Sequence, residues 1–392
     1  MRWMDVGAQI PNCEGTRFLV PVFDDVDVST VAYGQNYTHT GALQTLRMDI
    51  YRPRGDSFNR RPVIVWAYGG SFTAGIRQSP DIVRLCREFA RRGYVCASID
   101  YRLGVDNSGP PEQTRMNAVR AVSRAVHDAR AAIRWLRKSF VESGNPYGID
   151  TSQIFAGGVS AGGFIAAHLL YMDAASKILE FADTTGYFHA WGGLEGNSGN
   201  PGYSSAIKGA INLCGALGKA TWIDPGDPFI ISLHGDRDGT VPYGHDEVTV
   251  YGSVGLYVDG SYVIDSVARA RGVHSYLYTY RNMDHVPFVS LDVGQILQNG
   301  IINEPVMQVT VEFIAEKLFN HLDCTTLGYF PVQEVSRASA WTRNFDVFAS
   351  RGLLFVRRYG DLSPTTLMLT DIWGRTVLKI VATEAETQIP IS

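Results

Sequence analysis

Ser160, Asp238 and His285 lie far apart in this chain, yet together they can share a proton. A serine hydroxyl is a weak nucleophile unless a base takes its proton, and an imidazole base needs a third group to hold its tautomer. Ser160 sits in Gly157-Gly158-Val159-Ser160-Ala161-Gly162-Gly163, between the apolar run Ile154-Phe155-Ala156 and the helical segment Phe164–Tyr171. A sharp strand-to-helix turn here would bring the residues two before and two after the serine together. Gly158 and Gly162 have no side chain to clash, and the helix would aim its first amides at the reacting centre.

The base candidate is His285, in Asp284-His285-Val286-Pro287, just past the strand-like run Ser275–Tyr280. A residue there lies at the carboxyl end of a strand, where open parallel sheets place their sites. His168 reads as packing, and His127 reads as surface on a long helix. The acid candidates follow Phe229–Leu233, in His234-Gly235-Asp236-Arg237-Asp238-Gly239-Thr240-Val241-Pro242. Asp238 sits deeper in that loop and is assigned as the orienting acid, with Asp236 a turn former. Donors for a developing oxyanion are expected where Pro62–Ala67 ends in Tyr68-Gly69-Gly70-Ser71-Phe72. They are the amides of Gly70 and Ser71, with that of Ala161. Tyr68, Phe72, Trp191 and Glu195 are the candidates for substrate contact.

These residues need elements to position them. Short apolar runs at Pro62–Ala67, Tyr94–Ile99, Gln153–Ala156, Ala210–Leu213, Phe229–Leu233 and Ser275–Tyr280 alternate with helical patterns. They are continuous rather than alternating, the pattern of parallel strands covered on both faces. Gln44–Tyr51 alternates and predicts an antiparallel edge strand. Ser79-Pro80-Asp81 and Gly93 bracket one helix. A second runs from about Thr114 to Phe140, with Val119, Val122, Val126, Ala129, Ile133, Leu136 and Phe140 on one face. Its arginines at 115, 120, 124, 130, 134 and 137 read as a solvated outer face. Two long insertions, about 173–205 and 243–259, read as lids or binding loops. Tyr187, Phe188, Trp191 and Tyr203 of the first, and Tyr243, Tyr251 and Tyr257 of the second, would either stack on an aromatic acyl group or pack the lids themselves. Residues 1–324 are expected to form one α/β domain with a mostly parallel central sheet flanked by helices. Residues 325–392 are expected to form a small β-module.

Composition narrows the classes. The chain has 392 residues, 45% hydrophobic and 19% charged, enough apolar material for a large core. Lys and Arg number 35 against 39 Asp and Glu, which argues against a nucleic-acid partner. Mean hydropathy is -0.05, too polar for a multi-span membrane protein. Ile154 to Met172 carries no formal charge, but its glycines fit the turn better than a span. Five sparse cysteines, none in C-x-x-C spacing, suggest neither a disulfide scaffold nor a zinc knuckle. No metal or organic cofactor is expected. Met1-Arg2-Trp3-Met4-Asp5 shows no basic stretch followed by an apolar run, so no secretory leader is read there.

The Tyr68–Phe72 segment, Asp100-Tyr101-Arg102-Leu103, the Gly158–Gly163 turn, His234-Gly235-x-x-Asp238-Gly239-Thr240-Val241-Pro242 and His285-Val286-Pro287 together resemble an α/β-hydrolase carboxylesterase. The likeness is to secreted bacterial esterases near the hormone-sensitive-lipase and feruloyl-esterase branches, and it covers about residues 40–320. The order Ser160, Asp238, His285 is the one such folds use. Tyr68 and Ser71 depart from the usual His-Gly-Gly-Gly, so the Tyr68 hydroxyl is expected to face substrate or water. Thr366–Val377, with Asp371-Ile372-Trp373-Gly374-Arg375, resembles the C-terminal sorting modules of proteins secreted by Bacteroidota. That resemblance implies export through a secretion machinery.

The resemblance implies a serine esterase acting on short-chain or aromatic esters, feruloyl or polyester substrates included. The alternatives are a serine peptidase on the same fold, or a non-catalytic binding protein that kept it.

Overall fold

The computed structural model describes residues 17–177, 191–250, 254–290 and 301–323, and strands at 345–350, 353–358, 365–370, 376–382 and 386–390. Two compact units emerge, Met1–Pro331 and Val332–Ser392.

The apolar runs form strands with both faces covered, having no polar face to give to water. They are β3 (Arg61–Ala67), β4 (Val95–Ile99), β5 (Ile149–Val159), β6 (Gly209–Leu213), β8 (Phe229–Gly235) and β11 (Ser275–Tyr280). β3, β4, β6 and β8 are buried along their whole length. With β1 (Val26–Tyr37) and β2 (Leu43–Pro53) they make an eight-stranded sheet in the order β1-β2-β4-β3-β5-β6-β8-β11. β1, β2 and β4 pair antiparallel, and every junction from β4 to β11 is parallel.

Helices cover the faces: α1 (Pro80–Arg91), α2 (Pro111–Glu142), α3 (Ala161–Tyr171), α4 (Ser261–Ala270) and α5 (Glu304–Phe319). α1 starts after Ser79 and stops before Gly93, as its sequence predicts. The uncharged stretch from Ile154 is the end of β5, the turn at Ser160 and α3. Among the described residues no helix is long and apolar enough to cross a membrane.

Three expectations need correction. β2 is not the sheet edge. β1 pairs along it from Val26 opposite Pro53 to Tyr37 opposite Leu43. β1 escaped notice because only Val26 and Tyr33 are buried on it, so its apolar signal is thin. The second insertion is not irregular. β9 (His245–Val250) and β10 (Val254–Gly260) form an antiparallel hairpin, and β10 also pairs with the short β7 (Ala216–Leu217).

The arginines of α2 are not all on a solvated face. Arg124, Arg130 and Arg134 are buried, and so is His127. Residues 191–205 return across that side of the helix. Their irregular backbone carries carbonyls that must find donors, and a guanidinium offers five in a fixed fork. Arg134 donates to the Glu195 and Gly199 carbonyls and pairs with the Glu195 carboxylate at 2.7 Å. Arg130 reaches Ser205 Oγ, the Met172 carbonyl and Glu195. Arg137 donates to the carbonyls of Ser204, Ala206 and Thr151. Burial and the nearby Arg102 and Arg130 cations press the His127 pKa down to about 3, so its ring stays neutral.

A two-residue pair, β12 (Val289–Ser290) with β13 (Ile301–Ile302), follows the His285 loop. In the C-terminal unit, β14 (Phe345–Ser350), β15 (Leu353–Arg358) and β18 (Glu386–Pro390) form one antiparallel sheet. β16 (Thr365–Thr370) and β17 (Thr376–Ala382) pair as a hairpin. The Asp371–Arg375 motif, Tyr187, Phe188, Tyr251, Cys13 and Cys324 lie outside the described residues.

Candidate active site

The site is assembled where parallel strands end. β5 runs into Ser160, whose φ of 54° turns the chain at once into α3. This left-handed backbone is uncommon for a residue with a side chain, and it lifts the hydroxyl clear of the sheet. The Ser160 amide is spent on the Leu213 carbonyl, 2.7 Å away. The Ala161 amide begins the helix and has no acceptor within it.

β8 delivers Asp238 and β11 delivers His285. Ser160 Oγ donates to His285 Nε2 at 2.9 Å, and His285 Nδ1 donates to Asp238 Oδ2 at 2.6 Å. The other carboxylate oxygen of Asp238 accepts the backbone amides of Thr240 and Val241, both at 2.8 Å. Burial pushes the Asp238 carboxyl up, but hydrogen bonds from His234 and His285 outweigh it and hold the group well below the usual carboxylate range. Asp236 caps the neighbouring loop by accepting the Asn282 amide. The structure therefore brings Ser160, Asp238 and His285 into one hydrogen-bonded line.

A cavity of about 240 Å³ opens beside Ser160. Ser71 and Ala161 stand on its wall with Ser160; Gly70 does not. Gly70 shapes the turn instead, with φ of 122° and a carbonyl that accepts the Thr73 and Ala74 amides. Ser71 and Phe72 follow with φ of 53° and 60°. α2 contributes Val119 and Val122, and the β9–β10 hairpin contributes Val248, Leu256 and Val258.

Of the four expected substrate contacts, Phe72 alone lines this cavity. Tyr68 is buried behind it, stacked on Tyr101 at 4.4 Å between ring centres, so its hydroxyl does not meet the cavity as expected. Burial pushes that phenol up. Trp191 lies against the Arg102 and Arg124 guanidiniums, and Glu195 is held by Arg130 and Arg134. Both are drawn to the buried cations of α2.

Comparison with known proteins agrees with this fold. The BD-FAE family model, a feruloyl-esterase-like α/β-hydrolase domain, matches residues 48–189. A thermophilic esterase of Thermogutta terrifontis, Est2 with propionate bound, superposes with a TM-score of 0.50, covering 74% of this chain and 95% of that one at 22% identity. This chain has the α/β-hydrolase fold.

In sequence the chain is similar to the para-nitrobenzyl esterase of Bacillus subtilis, 30% identical over 200 residues, which is 46% of this chain and 39% of the relative. It is also similar to esterase LipC of Mycobacterium tuberculosis, 29% identical over 120 residues, or 31% of this chain and 25% of that protein. The chain thus spans a quarter to two fifths of the length of these two relatives.

Sequence reasoning missed four residues of the candidate site. His234, Ser261 and Asn212 are completely buried and hydrogen-bonded in line behind Asp238. The signal for His234 was its place in the His234-Gly235 motif. Ser261 and Asn212 left none. Cys214 lies beneath His285 with φ of 52°, and the amides of Val286 and Gly235 point at its sulfur. Val286 itself has φ of 49°. Among the described residues, the group of metal-ligand types within reach of one another is Cys214, Asp238 and His285. Burial pushes the Cys214 thiol up, and the carboxylate and imidazole already bind each other. This donor set is poor for a metal, since a thiol must ionise to bind one.

Proposed function

We propose that this α/β-hydrolase cleaves carboxylic esters through an acyl-enzyme. Ser160 is the nucleophile, His285 the base and then the acid, and Asp238 the group that orients the imidazole and balances its charge. The line from Ser160 Oγ through His285 to Asp238, at 2.9 Å and 2.6 Å, carries this reading.

Ser160 Oγ attacks the ester carbonyl carbon as its proton passes to His285 Nε2. The carbonyl oxygen takes the negative charge and meets the amides of Ser71 and Ala161, with Gly70 holding the turn. Collapse breaks the bond to the alcohol, which leaves with the proton from Nε2. Water, activated by the same nitrogen, then releases the acid and restores the serine.

The acyl group lies in the apolar cavity. Its wall favours aliphatic chains, because it is largely apolar and its His168 and Lys177 are already engaged. His168 binds the Phe164 carbonyl and the Gly218 amide, and Lys177 pairs with Asp173 and Asp224. Aromatic acyl groups are the second reading, favoured by the Phe72, Phe164 and Trp222 rings on the wall. Ser160→Ala should lower kcat on p-nitrophenyl butyrate by about 10⁴-fold or more and abolish labelling by a fluorophosphonate. Near-normal turnover by that variant would sink the assignment. Acetyl, butyryl, octanoyl and feruloyl esters, measured on one preparation, decide between the acyl classes.

A further inference from the structure

Behind Asp238 runs a line of buried polar groups that ester cleavage, as written above, leaves idle. Its hydrogen positions can be worked out from the outer end inward. The Gly215 amide donates to Asn212 Oδ1 at 3.0 Å, which fixes the orientation of that side-chain amide. Asn212 Nδ2 then donates to Ser261 Oγ at 3.1 Å. Ser261 has its own proton left to give, and His234 Nδ1 accepts it at 2.8 Å. His234 therefore carries its proton on Nε2. That nitrogen faces two acceptors, Asp238 Oδ2 at 3.0 Å and the Val241 carbonyl at 3.1 Å. The opposite tautomer would set a lone pair against a carboxylate and a carbonyl at once. All three side chains are completely buried, and an unmade bond there would cost its full desolvation penalty.

Asp238 Oδ2 thus receives two imidazole protons, one from His234 and one from His285, while Oδ1 receives two backbone amides. Every donor the carboxylate meets points inward at it, so it has no rotation open to it that keeps them all. We propose that His234 is a positioning residue for ester cleavage. Its Nε2–H, set by Ser261 and Asn212, locks the Asp238 carboxylate so that Oδ2 faces His285 and holds the imidazole in line with Ser160. The inference rests on the ester-hydrolase reading of the same site. His234 touches no reacting atom, and it acts through Asp238.

The test uses the full chain with p-nitrophenyl butyrate, comparing His234→Leu, His234→Gln, Ser261→Ala and Ser160→Ala, with a thermal melt of each. His234→Leu keeps bulk but removes the donor. It should lower kcat by about 10- to 100-fold, the worth of one hydrogen bond to a charged group. KM should hold within about twofold, since only uniform binding changes KM alone. His234→Gln places an amide N–H where Nε2–H stood and should recover most of the loss. Ser261→Ala frees the tautomer and should fall between the parent and His234→Leu. In proton NMR, the downfield Nδ1–H signal of His285 should broaden or shift in His234→Leu and return in His234→Gln.

A folded His234→Leu with the parent kcat and an unmoved imidazole signal would overturn the proposal. So would a His234→Gln as slow as His234→Leu, because bulk rather than the donor would then matter. Should His234→Leu fail to fold, Ser261→Ala decides: a parental kcat overturns the proposal and a reduced one supports it. Ser160→Ala separates the two layers. If it stays active, the ester reading falls and this inference with it. If it is silent while His234→Leu runs at the parental rate, only the positioning role is lost.

Discussion

Gly158 and Gly162 pass so closely at the turn around Ser160 that a Cβ on Gly158 would lie 2.1 Å from the Gly162 carbonyl oxygen. A Cβ on Gly162 would in turn lie 2.0 Å from the Ala67 carbonyl oxygen. Both obstacles are backbone, so neither can swing aside. Gly158→Ala should therefore push β5 and α3 apart, destabilise the fold by about 1–3 kcal/mol or more and displace Ser160. A melting curve and fluorophosphonate labelling check this together. A variant that melts and labels like the parent would show that the turn tolerates a side chain.

The buried ring of His127 makes the fold sensitive to acid. Its folded pKa is pressed down to about 3 from 6.5, by burial first and then by Arg102 and Arg130. Between those values the unfolded chain binds a proton that the folded chain refuses. The stability is whole above about pH 6.5 and is lost as pH falls towards 3, by at most about 1.4 kcal/mol per unit for this one group. His168, held down to about 4 by burial, acts in the same direction. The urea midpoint should drop between pH 7.5 and pH 5, and His127→Gln should flatten that drop. Equal midpoints at the two pH values in the parent would refute the account.

Glu195 binds protein, and a substitution there should read as loss of stability rather than of affinity. Its carboxylate is half exposed, so each ion pair is weakened by water. It is nonetheless the carboxylate shared by Arg130 and Arg134, both almost fully buried. Glu195→Gln should lower the melting temperature by a few degrees, about 1 kcal/mol, while KM for butyryl and octanoyl esters stays unchanged. A raised KM with an unchanged melt would return Glu195 to the substrate site.

Val122 stands on the cavity wall between α2 and the β9–β10 hairpin. Val122→Phe should fill part of the 240 Å³ and shorten the chain that fits. kcat/KM for an octanoyl ester should fall by about tenfold or more while the acetyl ester changes little, since each methylene in an apolar pocket is worth about 1–3 kcal/mol. Equal losses on both esters would place the acyl chain elsewhere.

How much of this was legible in the residues depends on whether a signal was local. The Ser160 turn, the strand before it and the Asp238 and His285 loops announce themselves through glycines and apolar runs within a few positions. β1 does not, because a strand covered on one face needs little apolar content and shows little. The arginines of α2 misled for a related reason. A helical stripe records one covered face, but residues 191–205 cover a second, and the carbonyls that claim Arg130 and Arg134 lie 42 to 65 positions away. Ser261 and Asn212 were unreadable because serines and asparagines do this work only when distant strands and helices bring them together.

Five residues with side chains hold left-handed backbone around Ser160: Ser71 at 53°, Phe72 at 60°, Ser160 itself at 54°, Cys214 at 52° and Val286 at 49°. For a β-branched valine this conformation is a true outlier, and glycine would adopt it freely. The site is thus kept in shape by the rest of the fold, against local preference. Heat resistance and turnover then pull in opposite directions at Val286. A screen that selects only for survival at high temperature should accept glycine there, and the survivors should hold His285 less firmly than their parent.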